Sequence, residues 1–264
     1  MMTTTSYSAD QLKELEEGRQ EKLNVSLYED PHYMAAQMHE IRVGLEEGLP
    51  VECYADPKFD WFQMQEIREG LEHHIDISKY AKPQIPYGTM HEIREGLEEG
   101  IDLSGESKRP YDVVRELRHA KESGVDLSHY VAEGYEWDQL KEIRLALEDG
   151  ITNIEDYIST DLRGVSIGQI RLGLEEHVDV TLYAGEDLNW QQMREIRLGL
   201  DKHLDVNIYL KSLYSYSQMR EIRLGLEEGL PVEKYNSFMY TSTQMKEKRL
   251  ALLSEKQYNN SLGK

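Results

Sequence analysis

Nine arginines stand where a helix should present an apolar side chain, one in each copy of a recurring phrase. They are Arg42, Arg68, Arg94, Arg118, Arg144, Arg171, Arg197, Arg223 and Arg249. A guanidinium in that setting has two kinds of chemistry open to it. It can lay its stem along apolar surface and pair its fork with a carboxylate, or it can line a groove for an acidic ligand. Glutamate follows four residues on at Glu46, Glu72, Glu98, Glu122, Glu148, Glu175 and Glu227, within reach on the same helix. Seven of the nine arginines thus bring their own glutamate in an acidic chain, and we read the nine as a structural ladder.

A second acid repeats two residues before the arginine: Glu40, Glu66, Glu92, Glu116, Glu195, Glu221 and Glu247, with Glu142 before Arg144. On a wheel of about 100° per residue it falls nearly opposite the apolar stripe, which predicts a solvated face. One carboxylate per copy at fixed pitch makes a regular negative row, and Glu195, Glu221 and Glu247 are its candidates for gripping a basic partner. The residue after the arginine is Val43, Glu69, Glu95 and His119 early in the chain. It becomes Leu145, Leu172, Leu198, Leu224 and Leu250 later. Either a second element covers these leucines or they form an apolar strip for a partner.

Catalytic constellations are not evident. The nine histidines scatter over different repeat positions, and His91 lacks the second histidine of a zinc-protease helix. Cys53 is the one cysteine, so no intrachain disulfide or cysteine-rich metal site can form. There is no phosphate-loop glycine pattern and no Gly-x-Ser-x-Gly elbow. We expect no catalytic residue, no metal ligand, no cofactor and no enzyme activity.

The elements that position these residues follow from the repeat. Anchored at Glu16 and the nine arginines, successive spacings are 26, 26, 26, 24, 26, 27, 26, 26 and 26. Each unit opens on a capping-box pattern such as Ser8/Gln11, Asp60/Gln63, Ser215/Gln218 or Thr241/Gln244. A helix of about four turns should follow, with Trp61, Met64, Ile67 and Leu71 on its buried face. Gly48, Gly100, Gly124, Gly150 and Gly229 would end it in left-handed conformation, with His74, His177 and His203 as substitutes. Asp or Pro then starts a brief second helical turn, and a tyrosine such as Tyr54 or Tyr80 closes the unit. A glycine inside the helix (Gly44, Gly70 and their equivalents) predicts close approach of a neighbouring helix. A helix this short cannot bury its stripe alone, whereas stacked copies bury it jointly. The expected fold is all-α, an α-solenoid of about ten repeats, each a main helix plus a short second helix, in one repeat domain over 1–264. Bends are expected at 105–112 and 159–169, where the phrase shortens or lengthens.

The 264 residues are 39% hydrophobic and 30% charged, with a formal net charge of −20. That balance argues against direct binding to nucleic acid or an anionic membrane and suits a basic protein partner. The N-terminus has no basic-then-apolar signal pattern, and no apolar run is long enough to span a bilayer. A cytoplasmic location is therefore expected. The phrase "QMHEIRVGLEEGLPVECY" at 37–54 and its near copy at 218–235 resemble a repeat of uncharacterised proteins from gut-type Gram-positive bacteria and their mobile elements. The resemblance covers about residues 11–255 and implies an accessory role, in conflict between mobile elements and hosts. Two functions remain open. One is a protein-interaction scaffold; the other is an acidic inhibitor that imitates nucleic acid in the groove of a basic nuclease or defence protein.

Overall fold

A computed structural model of the chain describes residues 6–185 and 187–262. Among these, every regular element is helical. The ten anchors lie on ten main helices: α1 (Ala9–Gln20), α2 (Ala35–Glu46), α3 (Trp61–Glu72), α4 (Tyr87–Glu98), α5 (Tyr111–Glu122), α7 (Trp137–Glu148), α8 (Gly164–Glu175), α9 (Trp190–Asp201), α10 (Tyr216–Glu227) and α11 (Ser242–Leu262). A short α6 (Ser128–Glu133) lies between α5 and α7 in the chain. Helices such as α2 and α3 are 12 residues long, just over three turns rather than four. The second element is shorter than expected too. In most repeats it is a three-residue 3-10 turn, as at Val51–Cys53, Ile77–Lys79 and Val206–Ile208.

The chain forms two compact units, Met1–Gly124 and Val125–Lys264. In the first, α1 to α5 pack each on the next; in the second, α7 to α11 do the same. This is the α-solenoid class. In the stretch 159–169, Gly164 and Gly168 are where α8 comes nearest to α7. A Cβ on Gly164 would lie 2.6 Å from the carbonyl carbon of Asp138, and one on Gly168 would lie 3.1 Å from the Glu142 carboxylate.

The local signals work as their chemistry dictates. Ser8, Asp60, Asn189 and Ser215 accept from first-turn amides, and the glutamine three residues on accepts from the cap's own N–H. At the other end the Gly48 N–H donates to Leu45 and the Leu49 N–H to Gly44, a Schellman closure. His74, His177 and His203 take the same left-handed position, with φ of 58°, 57° and 56°. Asp76, Asp179 and Asp205 cap the following 3-10 turns.

The core repeats with the units. Met38 and Ile41, Met64 and Ile67, Met90 and Ile93, Met193 and Ile196, and Met219 and Ile222 are all fully buried. Each such side chain contributes roughly 1.5–3 kcal/mol of apolar burial. Trp61 and Leu71, expected on the same stripe, are half-buried. The helical glycine has a different cause from the one expected. The tyrosine ten residues on folds back beneath its own helix. The Tyr54 hydroxyl donates to the Glu40 carbonyl at 3.1 Å, and a Cβ on Gly44 would overlap that hydroxyl. Tyr80 and Gly70, Tyr209 and Gly199, and Tyr235 and Gly225 repeat the arrangement. The neighbour that demands glycine is thus the unit's own tyrosine, not another helix.

Candidate functional site

Consecutive repeats are tied by two polar contacts. The first uses the arginine ladder. Arg68 Nε donates to Glu40 of the preceding repeat at 2.9 Å, Arg94 to Glu66 at 2.8 Å, Arg118 to Glu92 at 3.0 Å, Arg223 to Glu195 at 2.8 Å and Arg249 to Glu221 at 2.9 Å. Arg68, Arg94, Arg118 and Arg223 also reach the glutamate four residues on, with Arg94 to Glu98 at 2.6 Å and Arg118 to Glu122 at 2.8 Å, while Arg249 reaches Glu228 instead, at 2.5 Å. Arg42, Arg144 and Arg171 also bond Glu46, Glu148 and Glu175. Arg197 departs from the pattern: Gln169 replaces the preceding glutamate, and Glu176 supplies the charge. The second tie uses the capping glutamine. Its amide donates to carbonyls just before the next main helix: Gln63 to Ile85 at 2.7 Å, Gln192 to Tyr214 at 2.7 Å and Gln218 to Tyr240 at 2.7 Å.

These ties overturn the solvated-face expectation for the repeated acid. Glu40, Glu66, Glu92, Glu116, Glu195 and Glu221 are buried, Glu195 to 3% exposure. The wheel considered one helix; stacking lays the next repeat's arginine over that side. Glu247, in the last repeat, is exposed. Burial works to raise the Glu66 carboxyl, but hydrogen bonds from His91 and Arg94 outweigh it and hold it below its ordinary value. Arg94 is raised: burial opposes its charge, and the bonds and charges of Glu66, Glu98 and Glu69 outweigh that. Leu145, Leu172, Leu198 and Leu224 are half-buried, and only Leu250, at 43% exposure, is open. The structure therefore gives neither a free carboxylate row at Glu195 and Glu221 nor an exposed leucine strip.

Most of the open apolar surface lies elsewhere, at or just before the starts of the main helices, with Leu250 and Tyr258 open along α11. In the first unit it is Met34, Phe62, Tyr87 and Tyr111; in the second it is Trp137, Val165, Leu213, Tyr216, Phe238 and Met239, the last at 77% exposure. Sequence reasoning missed this rim, although one signal was present. The first helical residue is aromatic in Trp61, Tyr87, Tyr111, Trp137, Trp190 and Tyr216. A side chain there tilts back toward the helix N-terminus and past the packed stripe.

At the opposite ends of the helices in the first unit, carboxylates of consecutive repeats lie side by side. Glu21 is raised by its hydrogen bond with Glu46, Glu99 by its bond with Glu122, and Glu47 by burial and then by Glu72. Among the described residues no cluster of His, Cys, Asp and Glu could hold a metal ion, and no helix is long and apolar enough to cross a membrane.

The fold and these ties define an all-α helical-repeat protein. Comparison of the chain with protein-family models, curated proteins and solved structures finds no match.

Proposed function

We propose that the chain is a non-enzymatic, cytoplasmic protein-interaction scaffold that grips a protein partner along the helix-start rim. The observation that carries this reading is the segregation of polar and apolar groups. The repeated arginine, glutamate and glutamine are consumed in holding repeats together, while most of the large open apolar side chains gather at or just before the helix starts. Open apolar groups on a rigid frame supply contact area at little ordering cost. The test is affinity capture from a bacterial lysate with the wild-type chain and with a Leu213→Asp/Phe238→Asp/Met239→Asp variant. The partner should survive a high-salt wash and be lost with the variant. Equal capture by both chains would sink the rim.

A second reading is the acidic inhibitor that imitates nucleic acid, with an accessory role in mobile-element conflict as the sequence resemblance implies. The paired carboxylates Glu21/Glu46, Glu47/Glu72 and Glu99/Glu122 and the net charge of −20 favour it. Its partner would be a basic nucleic-acid-binding protein, released by salt and displaced by DNA.

A further inference from the structure

We propose that the edge of the first unit formed by the starts of α3, α4 and α5 docks an acidic peptide segment of a partner protein. This rests on the scaffold reading and names the chemistry of what part of the rim takes. Between the loops that lead into α4 and α5 lies a cavity of about 590 Å³, lined by Lys82, Ile85, Pro86, Lys108, Arg109 and Pro110 among others, with no carboxylate in its wall. In a chain of net charge −20, that is a local reversal of sign. Lys82 and Lys108 are exposed and have no ion-pair partner among the described residues; Arg109 pairs with Glu106. Both helices follow a proline N-cap, Pro86 and Pro110, that makes no side-chain hydrogen bond. The positive end of α4 adds to the lysine field, while at α5 Asp112 already faces the first turn and accepts from the Val113 N–H.

Beside the cavity runs an aromatic ladder. Trp61 and Phe62 stack at 3.5 Å between ring centroids, and Phe62 stacks on Tyr87 at 4.7 Å. Tyr111 continues the run by lying against Gly88, where a Cβ would come 3.1 Å from its ring. Arg115 sits 5.9 Å from the Tyr111 ring centroid. Phe62, Tyr87 and Tyr111 remain 39%, 49% and 51% exposed.

The ladder separates two anionic ligands. Single-stranded nucleic acid needs open ring faces for its bases, and here Trp61, Phe62 and Tyr87 spend faces on one another. What this stack offers is a partly exposed aromatic surface beside the lysines, which suits the apolar side chains of a peptide. A long polyanion would also meet repulsion from the rest of the chain, whereas a short acidic segment can seat on Lys82 and Lys108 and meet few of the chain's carboxylates within a screening length.

The experiment is fluorescence anisotropy on the full chain with three labelled probes: a short peptide alternating Glu and Pro, its Lys-for-Glu counterpart, and oligothymidylate. The acidic peptide should bind, the basic one should not, and Lys82→Glu/Lys108→Glu should weaken binding roughly tenfold or more. Both lysines are exposed, so thermal unfolding should hold and confirm a folded variant. Unchanged peptide affinity in that variant, or preference for oligothymidylate, would overturn the proposal. So would an acidic peptide that does not bind at all, and partner capture lost only in the Leu213/Phe238/Met239 variant would then leave the scaffold reading standing.

Discussion

At the scale of single residues, the tightest constraint is the pair Gly44 and Tyr54. The hydroxyl occupies the space a Cβ would need, and Val51 Cγ1 would lie 2.9 Å from that Cβ. Gly44→Ala should cost about 1–3 kcal/mol by overpacking, and Tyr54→Phe about 1 kcal/mol for its lost hydrogen bond. The two should not add. With the hydroxyl gone, the alanine methyl loses its worst clash, so the double variant should be more stable than the sum, by at least about 0.5 kcal/mol. Urea titration of the four chains gives the cycle, and strict additivity would remove our explanation of the helical glycine. The buried tyrosines also set a pH limit. Burial pushes Tyr28 up to about 12, and Tyr54, Tyr80, Tyr183, Tyr209 and Tyr235 higher still. Unfolded tyrosine ionises near 10. Above that pH the unfolded chain holds fewer protons than the folded one, so stability is full below about pH 10 and falls as pH rises beyond it. The phenolate absorbance that belongs to these six buried tyrosines should appear together with the loss of helical circular dichroism. All 17 phenols ionising while the helices stay intact would contradict the burial.

At the scale of the element, each helix is fixed at both ends by different chemistry. Gln63 accepts from the Asp60 N–H at 2.9 Å and donates to Pro83 and Ile85 of the next repeat. Gln244 accepts from the Thr241 N–H at 2.9 Å in the same way, but it is exposed. Gln63→Glu keeps the cap acceptor and sets a carboxylate against two carbonyls. It should cost about 2 kcal/mol, and Gln244→Glu less than about 0.5 kcal/mol. Equal losses on thermal melting would mean that the glutamine acts only as a cap. At the other end, His74, His177 and His203 hold a conformation that costs a side chain about 1–2 kcal/mol. Replacing one by glycine should stabilise the chain by about 0.5–1 kcal/mol, after the extra entropy that glycine loses on folding. A lower melting temperature would show that the imidazole makes a contact worth more than the strain.

At the scale of the whole molecule, the large negative charge is unevenly used. Glu195 and Arg223 form a pair in which both side chains are under a tenth exposed. Arg223→Met leaves Glu195 buried without that partner and should cost about 3 kcal/mol or more. Glu247→Lys, on an exposed position, should stay within about 0.5 kcal/mol. Denaturant melts of both separate the interior carboxylates from the exposed one. A mild loss for Arg223→Met would mean that the ladder is not what joins the repeats. It follows that charge reversal at Glu195 and Glu221 reports on folding before it reports on any partner. Of that set, only the exposed Glu247 can be reversed to probe electrostatic binding, because Glu46, Glu72 and Glu122 of the first-unit pairs are themselves partners of Arg42, Arg68 and Arg118.

The sequence by itself determined the helical class, the repeat unit and the ends of the helices. Those depend on local chemistry: Asp60 with Gln63, Gly48 or His74 at the stop, and Met64 and Ile67 at helical spacing can be read within one repeat. It also showed that seven of the nine arginines would meet a glutamate four residues on. Only the tertiary structure decided what each helix face meets. A wheel places Glu195 opposite the stripe and cannot know that Arg223, 28 residues on, lies over it. It places Trp61 on the stripe and cannot know that the neighbouring helix leaves the first turn half open. It offers a neighbouring helix as the reason for Gly44, where the cause is Tyr54 folding back from its own 3-10 turn. Local order follows from spacing along the chain. The polar ties between repeats and the open rim follow from how one repeat is set against the next, and that offset is fixed by packing in three dimensions.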